Sequence, residues 1–206
     1  MTAIVTETEA PEPYLTIHLS PALDLTDEQF FELCQINSNL RLERNAKGDI
    51  IVMPFTGGET SNRNQEVTRQ LGNWAKRDGT GAAFDSSAGF KLPNGAERSP
   101  DAAWISRERL EQLTPEQKRK FIPLCPDFVI ELLSPSDSLA AAQAKMAEYI
   151  DNGARLGWLI HPDARRVYLN RPGTPVEELN DVLRVSADPE LPGFTLDLED
   201  IWKPNI

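Results

Sequence analysis

The chain has 206 residues, 40% hydrophobic and 26% charged, the make-up of a soluble globular protein with room for one core. Its net charge of −11 argues against broad non-specific binding to nucleic acid, which needs a basic face, although a local basic stripe could suffice. No run approaches the roughly 20 apolar residues of a membrane span, and no basic segment leads into an apolar run to mark a signal peptide. Cys34 and Cys125 lie far apart and form no CxxC, so they read as free thiols in a reducing cytoplasm, with a single disulfide between them as the alternative.

Residues 1–13 are mostly Thr, Glu, Pro and Ala and read as a flexible tail ahead of a single domain over 14–206. Thr26 and Gln29 form a capping box that opens a helix over about 27–37, with Phe30, Leu33 and Cys34 inward. Alternation in Leu40-Arg41-Leu42-Glu43-Arg44, a turn at Lys47-Gly48-Asp49 and the apolar run Ile50–Met53 predict a hairpin that Pro54 ends. Thr56-Gly57-Gly58 leads into a helix over about 59–77, whose core stripe is Val67, Leu71 and Trp74.

A strand is expected over about 82–91, a turn at Pro93-Asn94-Gly95, and a strand over 100–105 that carries Asp101. Residues 106–120 read as helical and mixed in charge, and a strand over 127–133 carries Glu131. Ser134–Ser138 is a loop with several N-caps. It opens a helix over about 138–152, with Leu139, Gln143, Met146 and Ile150 on one face and Gly153 as its stop. Strands follow at Leu156–His161, Arg166–Leu169 and Val182–Val185, and the stretches around Leu191–Leu196 and Ile201-Trp202 read as a docked end. The order implies a mixed α/β sheet with helices on both sides rather than a regular βαβ repeat.

The chemistry concentrates on Asp101 and Glu131. An ionised carboxylate within a strand of Val, Ile, Leu and Phe is costly unless something pairs with it. The plain explanation is an ion pair or a sheet end for each acid. The sharper one is a shared divalent cation that removes the burial penalty and builds a site for phosphate chemistry. Strand parity puts Asp127, Val129, Glu131 and Leu133 on one face, and Asp101, Ala103 and Ile105 on one face of the other strand. If the strands are neighbours, the two acids meet across the ladder, and small Ala103 leaves room beside them. Glu131 lies roughly 7 Å back from its strand end. Lys145 lies roughly 10 Å along the returning helix. Its amine can therefore come back to Glu131, although a lysine at the edge of an apolar stripe is commonly a snorkelling surface residue.

Other candidates are weaker. His18 and His161 are too few for a zinc site, and there is no GxSxG, Walker loop or GxGxxG. Glu66 could add a ligand from the 59–77 helix but reads more simply as a solvated acid. Glu59 sits where acids are favoured anyway. Gly57-Gly58 could hold an anion ahead of a helix, or be a plain loop. Asp127 reads as a strand-entry residue. Arg63, Arg69, Lys76 and Arg77 share one helix, and Arg107, Arg109, Lys118, Arg119 and Lys120, between the two acidic strands, form a modest basic stripe that could follow a phosphate backbone or simply be solvated.

Pro100-Asp101 followed by a strand-borne Glu131 resembles the PD-(D/E)XK nuclease superfamily. At family level, Gly89–Gly95, Ser99–Trp104 and Pro126–Asp137, together with Lys145, Tyr149, Gly153, Trp158 and Leu159, resemble the Uma-two family, a set of endonucleases abundant in cyanobacteria. The resemblance covers about residues 25–200. It implies a restriction-endonuclease-like mixed β-sheet flanked by helices, with additional antiparallel hairpins. It further implies Mg²⁺ or Mn²⁺ held by Asp101, Glu131 and the Leu132 carbonyl, DNA as the partner, and a homodimer as this fold often forms. The superfamily places a lysine two residues after the acid, where this chain has Leu133. The family pattern supplies it from the next helix, which here is Lys145, with Lys91 in reserve. The competing reading is a non-catalytic interaction module that keeps the fold, which the acidic charge and Leu133 favour.

Overall fold

In the computed structural model the described residues are 14–206; the expected tail at 1–13 lies outside them. Strand β1 (Leu15–Ile17) precedes helix α1 (Asp27–Ile36), whose Thr26–Gln29 capping box forms as expected. β2 (Arg41–Arg44) and β3 (Ile50–Met53) make the expected hairpin, and α2 (Gly58–Asp78) ends at Gly79 in the left-handed conformation that glycine adopts without steric cost.

The expected strand over 82–91 is split. β4 (Gly81–Asp85) stops where the Asp85 carboxylate accepts from the Ser87 N–H and hydroxyl, and the chain resumes as β5 (Phe90–Lys91) in a different sheet. β6 (Glu97–Arg98) and β7 (Ala102–Ser106) follow. The expected helix over 106–120 is also broken. Only α3 (Arg107–Glu111) and a 3₁₀ turn at Gln117–Arg119 form, because Thr114 and Gln117 cap each other after the break and Pro115 cannot continue a helix.

β8 (Phe128–Leu132), α4 (Leu139–Asp151), β9 (Leu156–His161) and β10 (Arg166–Asn170) agree with the reading of the sequence. β11 (Glu177–Asn180), β12 (Arg184–Ser186), β13 (Thr195–Asp197) and α5 (Glu199–Trp202) complete the chain. The strand expected at Val182–Val185 lies about two residues later because Val182 gives its carbonyl to the Trp202 indole N–H instead of a ladder.

Among the described residues the central sheet runs β11-β10-β9-β8-β7-β4, with β8 and β9 parallel and the other pairs antiparallel. A second sheet runs β1-β3-β2-β6-β5, and β12 pairs with β13. Period-2 alternation divides the central strands between two cores. Ala102, Trp104, Phe128, Ile130, Leu132 and Trp158 pack against Val67, Leu71 and Trp74 of α2 and against the docked C-terminal stretch. Ala103, Ile105, Val129, Leu133 and Leu159 pack against Met146 and Tyr149 of α4 and against Phe90 and Leu92. Among the described residues no helix is long and apolar enough to cross a membrane.

Candidate active site

Asp101 lies one residue before β7, on a bend that follows Pro100. Ser99 shapes this entry, with its hydroxyl donating to the Ser86 and Ala88 carbonyls at 2.8 and 3.0 Å. The antiparallel register pairs Ala102 with Ile130, so one step further along Asp101 falls opposite Glu131. Glu131 belongs to the α4-facing set of β8, as strand parity required. The two acids meet at the sheet end beneath the start of α4.

Asp101 Oδ2 accepts from the Leu132 N–H at 2.9 Å, and Oδ1 accepts from the Asn64 side-chain amide of α2 at 3.0 Å. Within an extended strand the N–H and C=O of one residue leave on the same edge. The Leu132 carbonyl is therefore directed to the Asp101 side, whereas the next N–H, of Leu133, goes to Ile160 in the direction of β9. Burial raises the Asp101 carboxyl above its ordinary range, against the pull of the Leu132 N–H and Arg41. Burial pushes Glu131 up to about 7; Asp101 and Glu43 add to the rise and Lys145 opposes it.

Lys145 reaches the site. Its Nζ stands 2.9 Å from Glu131 Oε1 and 2.9 Å from Glu43 Oε1. Burial lowers its affinity for a proton, but Glu131 and Glu43 outweigh that and leave it above the ordinary lysine value. It is therefore an ammonium, not a base. One turn along α4, the Tyr149 hydroxyl donates to Glu131 Oε1 at 3.0 Å. Glu131 Oε2 has no hydrogen bond among the described residues.

Glu43 went unrecognised in the sequence. It is 2% exposed in its strand, accepting from Lys145, from the Ser99 N–H at 3.0 Å and from Arg98 at 3.2 Å, while Arg98 also holds Glu148 at 2.6 Å. Burial raises the Glu43 carboxyl, but Lys145 and Arg98 together carry it down to about 2. The one signal available was its place in the alternating stretch 40–44. Asn64, Arg41 and the role of Tyr149 were also missed, because a lone polar residue on a helix or strand carries no pattern.

The remaining candidates fall elsewhere. Lys91 pairs with Asp27, so the reserve lysine is engaged away from the carboxylates. Glu66 is held by Arg69 and, at 2.8 Å, by Gln70, beside a separate surface groove. Glu59 borders the site but is 3.4 Å from Arg63. Asp127 caps the strand entry, accepting from the Ser106 N–H at 2.8 Å and from Arg109 at 2.9 Å. Several of the basic residues singled out have internal partners. Arg63 donates to the Ile201 carbonyl, Arg107 to Gly79 and Gly81, and Lys120 to Glu28.

The acids and Lys145 open into a cavity of about 710 Å³ walled by the β3–α2 and β8–α4 connections. Gly57 and Gly58 line it as the uncapped start of α2, and Phe55 stands at its rim, 93% exposed. Among the described residues no group of three or more His, Cys, Asp or Glu is arranged to hold a metal. Two carboxylates with hard oxygens are nonetheless what Mg²⁺ takes from a protein when waters and a substrate phosphate fill its other positions. Asn64 Oδ1 is buried beside Asp101 with no donor among the described residues, an acceptor that a cation or its water would satisfy. The donor set fits such an ion.

Three comparisons bear on this arrangement. No match is found among curated proteins. A solved structure, described as a putative nuclease belonging to DUF820 from Anabaena variabilis ATCC 29413, matches with a TM-score of 0.71 and 23% identity, over 86% of this chain and 97% of that one. This establishes the fold. The family model Uma2, described as "Putative restriction endonuclease", matches residues 27–199. That span contains the carboxylate pair, Glu43 and Lys145, and on this match the chain belongs to the Uma2, or Uma-two, family.

Proposed function

We propose that the protein is a metal-dependent nuclease that hydrolyses phosphodiester bonds in DNA. The observation that carries this reading is the convergence of Asp101, Glu131 and Lys145 on one cavity, inside the span that the family model matches. Asp101, Glu131 and the Leu132 carbonyl would hold Mg²⁺ or Mn²⁺. A divalent ion supplies a Lewis acid for the phosphate and acidifies a water.

The other steps belong to the chain's own groups. Tyr149 and Lys145 both donate to Glu131 Oε1, which turns Oε2 outward and fixes the carboxylate. Asn64 and the Leu132 N–H fix Asp101 in the same way. The Lys145 ammonium carries three donors and uses two on Glu43 and Glu131, so the third is available to orient a water or to offset charge developing on the phosphate.

Cleavage of plasmid and single-stranded DNA in Mg²⁺ or Mn²⁺ tests this. Asp101→Asn and Glu131→Gln should each lower the rate by at least about 100-fold, and Lys145→Ala by a similar factor. Cleavage by Asp101→Asn at the wild-type rate overturns the assignment. A wild type that binds neither metal nor DNA favours the non-catalytic module.

A further inference from the structure

One guanidinium in the cavity has donors to spare. Arg41 opens β2, and the hairpin register sets it across from Met53, where the chain leaves for α2. One of its terminal nitrogens donates to the Ser99 carbonyl at 3.2 Å. The same nitrogen stands 3.9 Å from Asp101 Oδ1, beyond hydrogen-bond range. The Nε is buried and has no partner among the described residues. Of the five N–H donors in an arginine, one is therefore well used.

The other cations lining the cavity differ. Lys145 lies 2.9 Å from two carboxylates, Arg98 bonds Glu43 and Glu148, and Arg63 bonds the Ile201 carbonyl and pairs with Glu59 at 3.4 Å. Asp101 does not complete Arg41 in the same way, because its hydrogen bonds come from Asn64 and the Leu132 N–H. The Arg41 side chain is 33% exposed, so its head borders the cavity instead of being sealed beneath it. A cation with free donors beside a carboxylate pair suits an anion that approaches those carboxylates.

We propose that Arg41 binds a phosphate of the substrate strand beside the carboxylate pair, its planar guanidinium donating to two non-bridging oxygens. This rests on the nuclease reading above. The physical need is plain. Asp101, Glu131 and Glu43 together repel a phosphodiester, and Lys145 is held between two of them. A guanidinium fork matches a phosphate in shape and charge, which the compact lysine ammonium does not.

The test is binding of a short fluorescein-labelled single-stranded DNA, followed by anisotropy in Ca²⁺ across about 50–200 mM salt. Arg41→Gln should weaken binding about tenfold and flatten the plot of log K against log salt by about 0.7, the share of one phosphate on a single strand. Arg41→Lys keeps the charge and should keep the slope. Calorimetry with Mn²⁺ separates this from a structural role. Arg41→Gln should bind the ion at least as tightly as wild type, because a positive charge 3.9 Å from Asp101 has gone. A slope unchanged in Arg41→Gln, or lost equally in Arg41→Lys, overturns the proposal, as does loss of Mn²⁺ binding in Arg41→Gln. A wild type that binds DNA with a normal salt slope while Arg41→Gln does the same sinks Arg41 alone; a wild type that binds no DNA sinks the nuclease reading with it.

Discussion

Two buried glutamates in one small sheet titrate in opposite directions. Glu43 falls from 4.5 to about 2, because Lys145 and Arg98 outweigh the cost of burial. Its folded form holds a proton less tightly than the unfolded chain, so its stabilisation is present above pH ~4.5 and lost as pH falls towards 2. The shift corresponds to about 3 kcal/mol. Glu43→Gln should therefore be roughly 3 kcal/mol less stable at pH 7, with a shallower loss of stability below pH 5 in urea titrations. Glu97, paired across β2–β6 with Arg44, rises from 4.5 to about 7, because burial outweighs the Arg44 guanidinium 3.0 Å away. Here the folded form holds the proton more tightly, so stability is lost as pH rises from ~4.5 to ~7. The difference in stability between Glu97→Gln and wild type should move in favour of the variant across that window. A difference independent of pH would refute the assignment.

The elements that carry the site hold it by close packing. A Cβ on Gly81, at the start of β4, would overlap the Ile105 carbonyl oxygen and the Trp104 ring, and backbone cannot move aside as a flexible side chain can. Gly81→Ala should cost roughly 2–3 kcal/mol in denaturant unfolding, the scale of overpacking a filled core. Gly157→Ala in β9 meets the flexible Met146 thioether instead and should cost less. This separates what the sequence disclosed from what it did not. Val67, Leu71 and Trp74 announced α2 through their spacing, and parity placed Glu131 on the α4 side. The breaks at Asp85 and Thr114 were hidden, because side-chain caps compete with backbone ladders one residue at a time and leave no periodic trace.

For the whole molecule, an ion that binds only the folded chain stabilises it by mass action, about 2.7 kcal/mol at a hundred times its dissociation constant. For a chain of this size that is a rise in Tm of roughly 5–10 °C. Mn²⁺ should produce the rise in wild type by differential scanning fluorimetry, and Asp101→Asn should abolish it. An equal rise in both would place the ion elsewhere. A net charge of −11 is compatible with this because repulsion between exposed charges is screened within about 8–10 Å in physiological salt, whereas the cavity acts on a phosphate at contact.

The sequence by itself determined the family, most of the helices and central strands, the faces on which Asp101 and Glu131 lie, and the helix from which Lys145 returns. These follow from local periodicity and from ordered motifs, which folding does not rearrange. Only the tertiary structure decided that Glu43 shares Lys145, that Asn64 and Tyr149 fix the two acids, that Lys91 and Glu66 stand apart, and that Arg41 keeps free donors. Those contacts join β2, α2, the entry to β7, β8 and α4 across 18 to 102 residues of chain, and long-range pairing of polar groups is set by how two sheets pack rather than by any pattern along the strand.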